Sequence, residues 1–292
     1  MRKKINLTDI VIYLVVTVLT VICLLPILNT LAVSLSSSVV VAAGKVRFWP
    51  KQFTWNSYHE ILKDNLFFTS FWISVKRVLI GGGLNLIMMC LIAFPLSHTK
   101  EDFSARNVYV TILIISMLFS GGLIPTYIVI NKVGLLDTIW ALTLPSAVSS
   151  WNCILLMNFF RSLPKTLEEA AEIDGAKPLK ILLSVYLPLS LPGLATVTLF
   201  CVVGHWNDFF AGLVYMNHQN NYPLATYIST LVYSAKNLTE ITDPEELKRI
   251  MELSDSTVNS AKIFIAMIPI LIVYPFMQRY FVTGLVMGSV KE

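Results

Sequence analysis

Long apolar runs constrain this sequence more than any other feature: residues 10–33, 71–96, 108–130, 139–160, 182–215 and 263–282 are each almost continuously hydrophobic. A helix rises about 1.5 Å per residue and a bilayer's hydrocarbon core is about 30 Å thick, so roughly 20 apolar residues cross it. Inside that core every backbone N–H and C=O must be satisfied within the segment, which a helix does. The chain is therefore expected to be an all-α polytopic membrane protein with six transmembrane helices. Its 55% hydrophobic and 14% charged residues agree with this, since soluble domains carry about 25% charged residues. The fifth run is longer than one span and holds Pro188 and Pro192, so it is predicted to kink or to lie partly at the interface.

Charge distribution sets the expected topology, because cytoplasmic flanks collect Lys and Arg. With Arg2, Lys3 and Lys4 inside, the later inside segments carry Lys100 and Arg106, then Arg161, Lys165, Lys177 and Lys180, and last Arg279 and Lys291. Both termini come out cytoplasmic, in a multi-pass protein of the cell membrane. The first outside loop is itself basic, with Lys45, Arg47, Lys51 and Lys63. The opening "MRKK" imitates a signal peptide, but the run behind it is long and lacks a small-residue cleavage site, so it is read as a retained first helix. A net charge of +4 gives no indication of nucleic acid. Cys23, Cys90, Cys153 and Cys201 all lie in apolar runs without metal-ligand spacing, and His59, His98, His205 and His218 are scattered, so no catalytic or metal constellation emerges.

The polar excursions 34–70 and 217–262 fall on the external side, the second containing the helix-compatible segment "DPEELKRIMELSDS". The excursion 161–180 falls on the opposite side. There Pro164 suits a helix's first turn, Gly175 suits the left-handed position just past its end, and a second helix is predicted to begin near Pro178. By the i, i+3, i+4 rule Leu167, Ala170 and Ala171 share one face, with Glu168, Glu169 and Glu172 on the other. Interfacial helices carry a bulky apolar face and a Lys/Arg-rich polar one. Small residues backed by carboxylates instead permit close approach to a protein groove, so docking on a partner is the expectation.

Glu169, Ala170 and Ala171, then three residues and Gly175, then nine residues and Val185, Leu187 and Pro188 resemble the EAA loop of ATP-binding-cassette importer permeases, with Val185 in place of isoleucine. The six runs, "NDFFAGLVY" at 207–215 and the ending "QRYFVTGLVMGSVKE" extend the resemblance to the carbohydrate-uptake, maltose-permease-like branch, on the side of oligosaccharides released from polysaccharides. The resemblance implies a type I importer permease fold forming a single transmembrane domain over 1–292, with its core at about 70–282 and a cytoplasmic coupling loop at 161–180. It further implies one half of a permease heterodimer, two ATPase subunits that bind ATP and Mg, an extracytoplasmic sugar-binding protein, and surrounding lipid. In that scheme Glu169, Ala170, Ala171, Gly175, Leu187 and Pro188 couple the spans to the ATPase, and the C-terminal tail either touches the ATPase or is unstructured.

The chain itself is expected to be non-catalytic and without a cofactor of its own. It has no G-x-x-x-x-G-K-[S/T] phosphate loop: Gly44-Lys45 lacks the earlier glycine, and Gly81–Gly83 lies in an apolar run with no lysine following, where it favours close helix packing. Lys76 and Arg77 are placed near the external end of the second run, snorkelling to headgroups, with Asn85 deeper and bridging helices. Trp206, Asn207 and Asp208 combine an aromatic face with hydrogen-bonding groups, which suits either a sugar or an interfacial anchor with a capped helix end. Trp151 and Asn152 form a second such pair, and Trp140 is read as a belt residue. A self-sufficient secondary transporter, the alternative, calls for inverted repeats and broken helices, and the sequence pattern suggests neither.

Overall fold

The computed structural model describes residues 7–236 and 256–289. Arg2–Lys4, the mixed-charge segment 243–255 and most side chains of the ending 278–292 lie outside the described residues, and with them the topology and tail contacts expected there. Among the described residues the chain is helical, apart from loops and one isolated antiparallel bridge between Ser36 and Phe53.

The helices are α1 (Leu7–Ser34), α2 (Ser38–Ala42), α3 (Asn56–Lys63), α4 (Asn65–Ser97), α5 (Arg106–Leu118), α6 (Leu123–Lys132) and α7 (Ile139–Thr143). They continue as α8 (Ser150–Arg161), α9 (Lys165–Ile173), α10 (Pro178–Ile181), α11 (Leu187–Leu189), α12 (Leu191–Asn207), α13 (Phe210–Tyr215), α14 (Leu224–Lys236) and α15 (Ser256–Ser289). Among the described residues three helices are long and apolar enough to cross a membrane unaided: α1, α4 and the Ser256–Phe276 part of α15. Three further spans arise only as bent pairs, which brings the count to as many as six.

Bends in the third and fourth runs are ones the sequence pattern did not suggest, while the bend in the fifth was predicted. The third run turns by 112° between α5 and α6. Phe119 leaves the helix in an extended conformation, and Gly122 sits at φ +83°, which a side chain would resist. The fourth run bends by 52° after Ser146, and α8 restarts with the Ser149 hydroxyl accepting the Asn152 N–H. The fifth bends by 86° at Ser190, between the two prolines that predicted a kink. A π turn at Leu182–Tyr186, absent from the sequence reading, precedes that bend. The wider turn lies where the Pro188 ring would press on the carbonyl of Ser184.

The described chain groups into two compact units. One, residues 1–68 with 227–268, holds α1 to α3, α14 and the first part of α15. Within it the Tyr227 hydroxyl donates to Asp64 Oδ2 at 2.6 Å, and Lys262 Nζ bonds both Asp64 Oδ2 (2.6 Å) and the Tyr227 oxygen (2.9 Å). The other, residues 69–226 with 269–292, contains the main apolar core. Met89, Ala93 and Phe94 of α4 meet Leu156 and Phe160 of α8, Tyr186 of the π turn and Val197 of α12 there.

Candidate functional site

The segment that resembles a coupling loop forms a helical hairpin whose ends are set by its own sequence. Pro164 holds the extended N-cap position before α9. At the other end Gly175 lies at φ +75°, its N–H donating to the Glu172 carbonyl (2.9 Å) and that of Ala176 to the Ala171 carbonyl (2.9 Å). This paired closure is the Schellman pattern, which satisfies the last carbonyls of a helix and needs a left-handed residue. Lys177 is then extended and Pro178 starts α10, as predicted.

The faces of α9 differ from the wheel reading. Glu168, expected among the exposed carboxylates, is only 7% exposed and is the helix's anchor. Its Oε1 lies 2.6 Å from His98 Nε2, and its Oε2 accepts the Tyr186 hydroxyl at 2.6 Å. Glu168 and Ala171, three residues apart, form the inward face, with Ala171 packed on the main core. Leu167, Glu169, Ala170 and Glu172 point to solvent, and Ile173 beside the turn is 88% exposed. The motif's end is split, Leu187 packing on the core and Pro188 exposed.

His98 stands at the end of α4, whose last carbonyls receive guanidinium donors. Arg106 Nε donates to the Leu96 carbonyl (3.0 Å) and Arg161 Nε to that of Ser97 (3.4 Å), cations being favoured at a helix C-terminus. Lys165, at the start of α9, pairs with Asp102 at 3.1 Å. Thr99's hydroxyl, and then Lys165, hold the Asp102 carboxyl below its ordinary range, while Asp102 raises Lys165.

A second polar cluster lies deeper in the same unit. Arg77, placed by the sequence reading in the headgroups, is instead 2% exposed. Its Nη2 donates to Asp208 Oδ2 (2.5 Å) and Nη1 to the Asp208 carbonyl (2.7 Å). Neighbouring helix positions point about 100° apart, so Lys76 faces outward while Arg77 turns in. Asp208 fills the gap between α12 and α13, its Oδ1 accepting the Ala211 N–H at 3.1 Å. Asn85 bridges helices as expected: its Nδ2 donates to the Ser146 (2.5 Å) and Ala147 (2.9 Å) carbonyls freed by the break in the fourth span. Its Oδ1 accepts His205 Nε2–H at 2.7 Å. A Cβ at Gly81 would come within 2.7 Å of the His205 ring, so this one of the three glycines permits the packing predicted for them.

The residues assigned to a sugar path separate by depth. Trp206 is buried edge-to-face on Phe71 (ring centroids 5.8 Å), while Asn207 is exposed beside Asp208. Trp151 is 60% exposed, whereas Asn152 is buried with its Nδ2 3.6 Å from Cys201 Sγ. Among the described residues no three His, Cys, Asp or Glu side chains converge as metal ligands would. Sequence reasoning missed Glu168, His98 and Tyr186 as a group, although the i, i+3 relation of Glu168 to Ala171 was a signal.

The family described as binding-protein-dependent transport system inner membrane component matches residues 68–286. The chain is similar to the polygalacturonan/rhamnogalacturonan transport system permease protein YtcP of Bacillus subtilis (strain 168), 35% identical over 99% of both chains. It is similar also to Protein LplC of the same organism, 38% identical over 92% of this chain and 90% of that one. Its fold is similar to a chain in the crystal structure of a bacterial ABC transporter involved in the import of the acidic polysaccharide alginate. That likeness has a TM-score of 0.82 and 32% identity, covering 96% of this chain and 99% of the other. With a family match over most of its length and relatives and a fold that agree with it, this chain belongs to the binding-protein-dependent inner membrane components, the permeases of ATP-binding-cassette importers.

Proposed function

We propose that the chain is one half of a permease heterodimer that imports oligosaccharides derived from polysaccharide, driven by ATP hydrolysis on separate subunits. The observation that carries this is the hairpin. Glu168 fixes α9 to the chain's own core while Leu167, Glu169, Ala170 and Ile173 face outward. A helix held firmly from behind and uncovered in front can pass a partner's movement to the spans, the partner being an ATPase that binds ATP and Mg. Glu169 supplies the charged contact, Gly175 the turn, and Leu187 and Pro188 the link to the bend in the fifth span. The hairpin and both termini lie on the cytoplasmic side of the cell membrane, and 1–292 acts as a single permease domain. An extracytoplasmic binding protein delivers the sugar.

The relatives support the substrate class: the name of YtcP specifies polygalacturonan/rhamnogalacturonan, and that of the solved transporter the acidic polysaccharide alginate. A third relative is the arabinooligosaccharides transport system permease protein AraQ of Halalkalibacterium halodurans, 28% identical over 92% of both chains. Exposed Asn207 and Trp151, with half-buried Asp208 between Arg77 and solvent, face the sugar path, and Trp206 and Asn152 are packed behind them as its rigid wall.

Purification of the chain from its native membrane with a C-terminal tag, followed by mass spectrometry, tests the assembly. Recovery of a second permease, an ATPase and a sugar-binding protein is the expected result. Recovery of the chain alone, still moving solute across vesicles without ATP, would overturn it.

A further inference from the structure

The polar excursion after α1 folds back beside that helix instead of projecting from it. α1 ends at Ser34, α2 closes on Gly44 at φ +66°, and the chain then returns along α1 until Asn29 Nδ2 donates to the Arg47 carbonyl at 2.5 Å. Asn29 lies five residues before the end of α1, about 7.5 Å at 1.5 Å per residue. The exposed apolar side chains of α1 run as far as Leu28. Arg47 and its neighbours therefore stand at the level where the lipid-compatible surface of the helix stops. Backbone bonds hold the return in place: the Lys51 N–H donates to Ser36 Oγ (3.0 Å), the Ser37 N–H to the Gln52 carbonyl (3.2 Å) and the Thr54 N–H to the Leu35 carbonyl (3.0 Å).

Fastened in this way, the segment presents large rings and cations together. Trp49 is 82% exposed, and Phe48, Phe53 and Trp55 are exposed with it, the last two edge-to-face at 5.5 Å. Lys45, Arg47 and Lys51 are exposed among them. Residues 35–59 contain no Asp or Glu. The next two acids are already engaged, Glu60 by Lys63 and Asp64 by Lys262, so among the described residues the three cations have no acid partner.

We infer that the segment 45–55 is an interfacial anchor that binds anionic phospholipid, its headgroup phosphates taken by Lys45, Arg47 and Lys51 and its acyl boundary by Phe48 and Trp49. Exposed rings favour the headgroup level and unmatched cations favour anionic lipid, and a membrane interface supplies both at one depth. An acidic oligosaccharide or an acidic face of the binding protein would meet the same charges. A surface drawn back to the level of Asn29, however, is seated among headgroups before either arrives. In the orientation proposed above the leaflet is the outer one.

The test places the full chain in nanodiscs of equimolar phosphatidylcholine and phosphatidylglycerol, with bromine on the acyl chains of one lipid or the other. Trp49 emission is taken as the difference between wild type and Trp49→Phe. Bromine on either lipid should quench it, and bromine on phosphatidylglycerol should quench it more, since one engaged cation enriches an anionic headgroup locally by about fivefold. Lys45→Ala, Arg47→Ala and Lys51→Ala together should make the two lipids quench equally while Trp49 stays quenched, because the Arg47 carbonyl still accepts from Asn29. Equal quenching by the two lipids in wild type, or a preference that survives the triple variant, would overturn the anionic site. Quenching of Trp49 by acrylamide and by neither lipid would put the surface in water and overturn the anchor. A shift of Trp49 emission on adding oligogalacturonate to that unquenched chain would make the surface a sugar contact instead.

Discussion

Arg77 shows at the scale of one residue what local pattern leaves out. A cation beside the start of an apolar run is read as snorkelling, which exposed Lys76 allows and its buried neighbour does not. Asp208 was legible as unusual because an acid inside a span demands a reason. Its partner was not, since the pairing spans 131 positions and no periodicity encodes that. A buried guanidinium needs its counter-charge more than the pair is needed as a whole. Asp208→Ala should therefore lower the stability of the detergent-solubilised chain by about 3 kcal/mol, read as a fall in its thermal unfolding midpoint. Arg77→Met combined with Asp208→Leu should recover most of that loss. An unchanged midpoint in Asp208→Ala would show that the Asp208 carbonyl alone satisfies Arg77.

At the scale of elements, the boundaries of α9 were legible because prolines and a left-handed glycine act through the backbone of their own neighbourhood. Its buried side was misread, since the wheel gives relative angles and the three carboxyl-bearing positions 168, 169 and 172 look alike until a partner such as His98 is placed. The breaks in the third and fourth spans were missed for a related reason. Hydropathy averages over a window, and a turn of three or four residues, 147–149 in the fourth run and 119–122 in the third, leaves the average little changed. Gly175 offers the clearest test. A Cβ there would meet nothing within 4 Å, so the cost of substitution comes from φ +75° alone. Gly175→Val should strain the turn by about 1–2 kcal/mol, whereas Gly175→Asn, which tolerates left-handed backbone, should cost less. Both chains should remain in the membrane, and the valine variant should retain less ATPase on purification and show weaker substrate-stimulated ATP hydrolysis. Equal retention in the two variants would separate the turn from docking.

Across the whole molecule, the family match begins at residue 68, at the edge of the first compact unit, so most of the segment before it is held by contacts that the shared family pattern does not describe. Within that unit the fastening is polar and distant in sequence. Asp64 accepts the Phe67 N–H at 3.1 Å at the start of α4, and also takes bonds from Tyr227 and Lys262, 163 and 198 positions further on. Lys262 is buried and lies 5.1 Å above the Tyr227 ring. Burial alone would raise the Asp64 carboxyl, but the hydrogen bonds from Lys262, Tyr227 and the Phe67 N–H outweigh it and hold the group below its ordinary value. A carboxyl depressed on folding contributes stability that is complete above its unfolded pKa, near 3.9, and is lost as pH falls through the folded value. The wild-type unfolding midpoint should thus drop on acidification below about pH 4. Asp64→Asn with Lys262→Met, which leaves no charge to titrate there, should lack that part of the acid loss. Asp64→Ala alone should be the least stable of the three at neutral pH, by about 3 kcal/mol, because it strands a buried ammonium that, among the described residues, keeps the Tyr227 oxygen as its hydrogen-bond partner. If the single and double variants unfold together, Lys262 reaches water when Asp64 is gone, and the first unit is fastened by its apolar contacts instead.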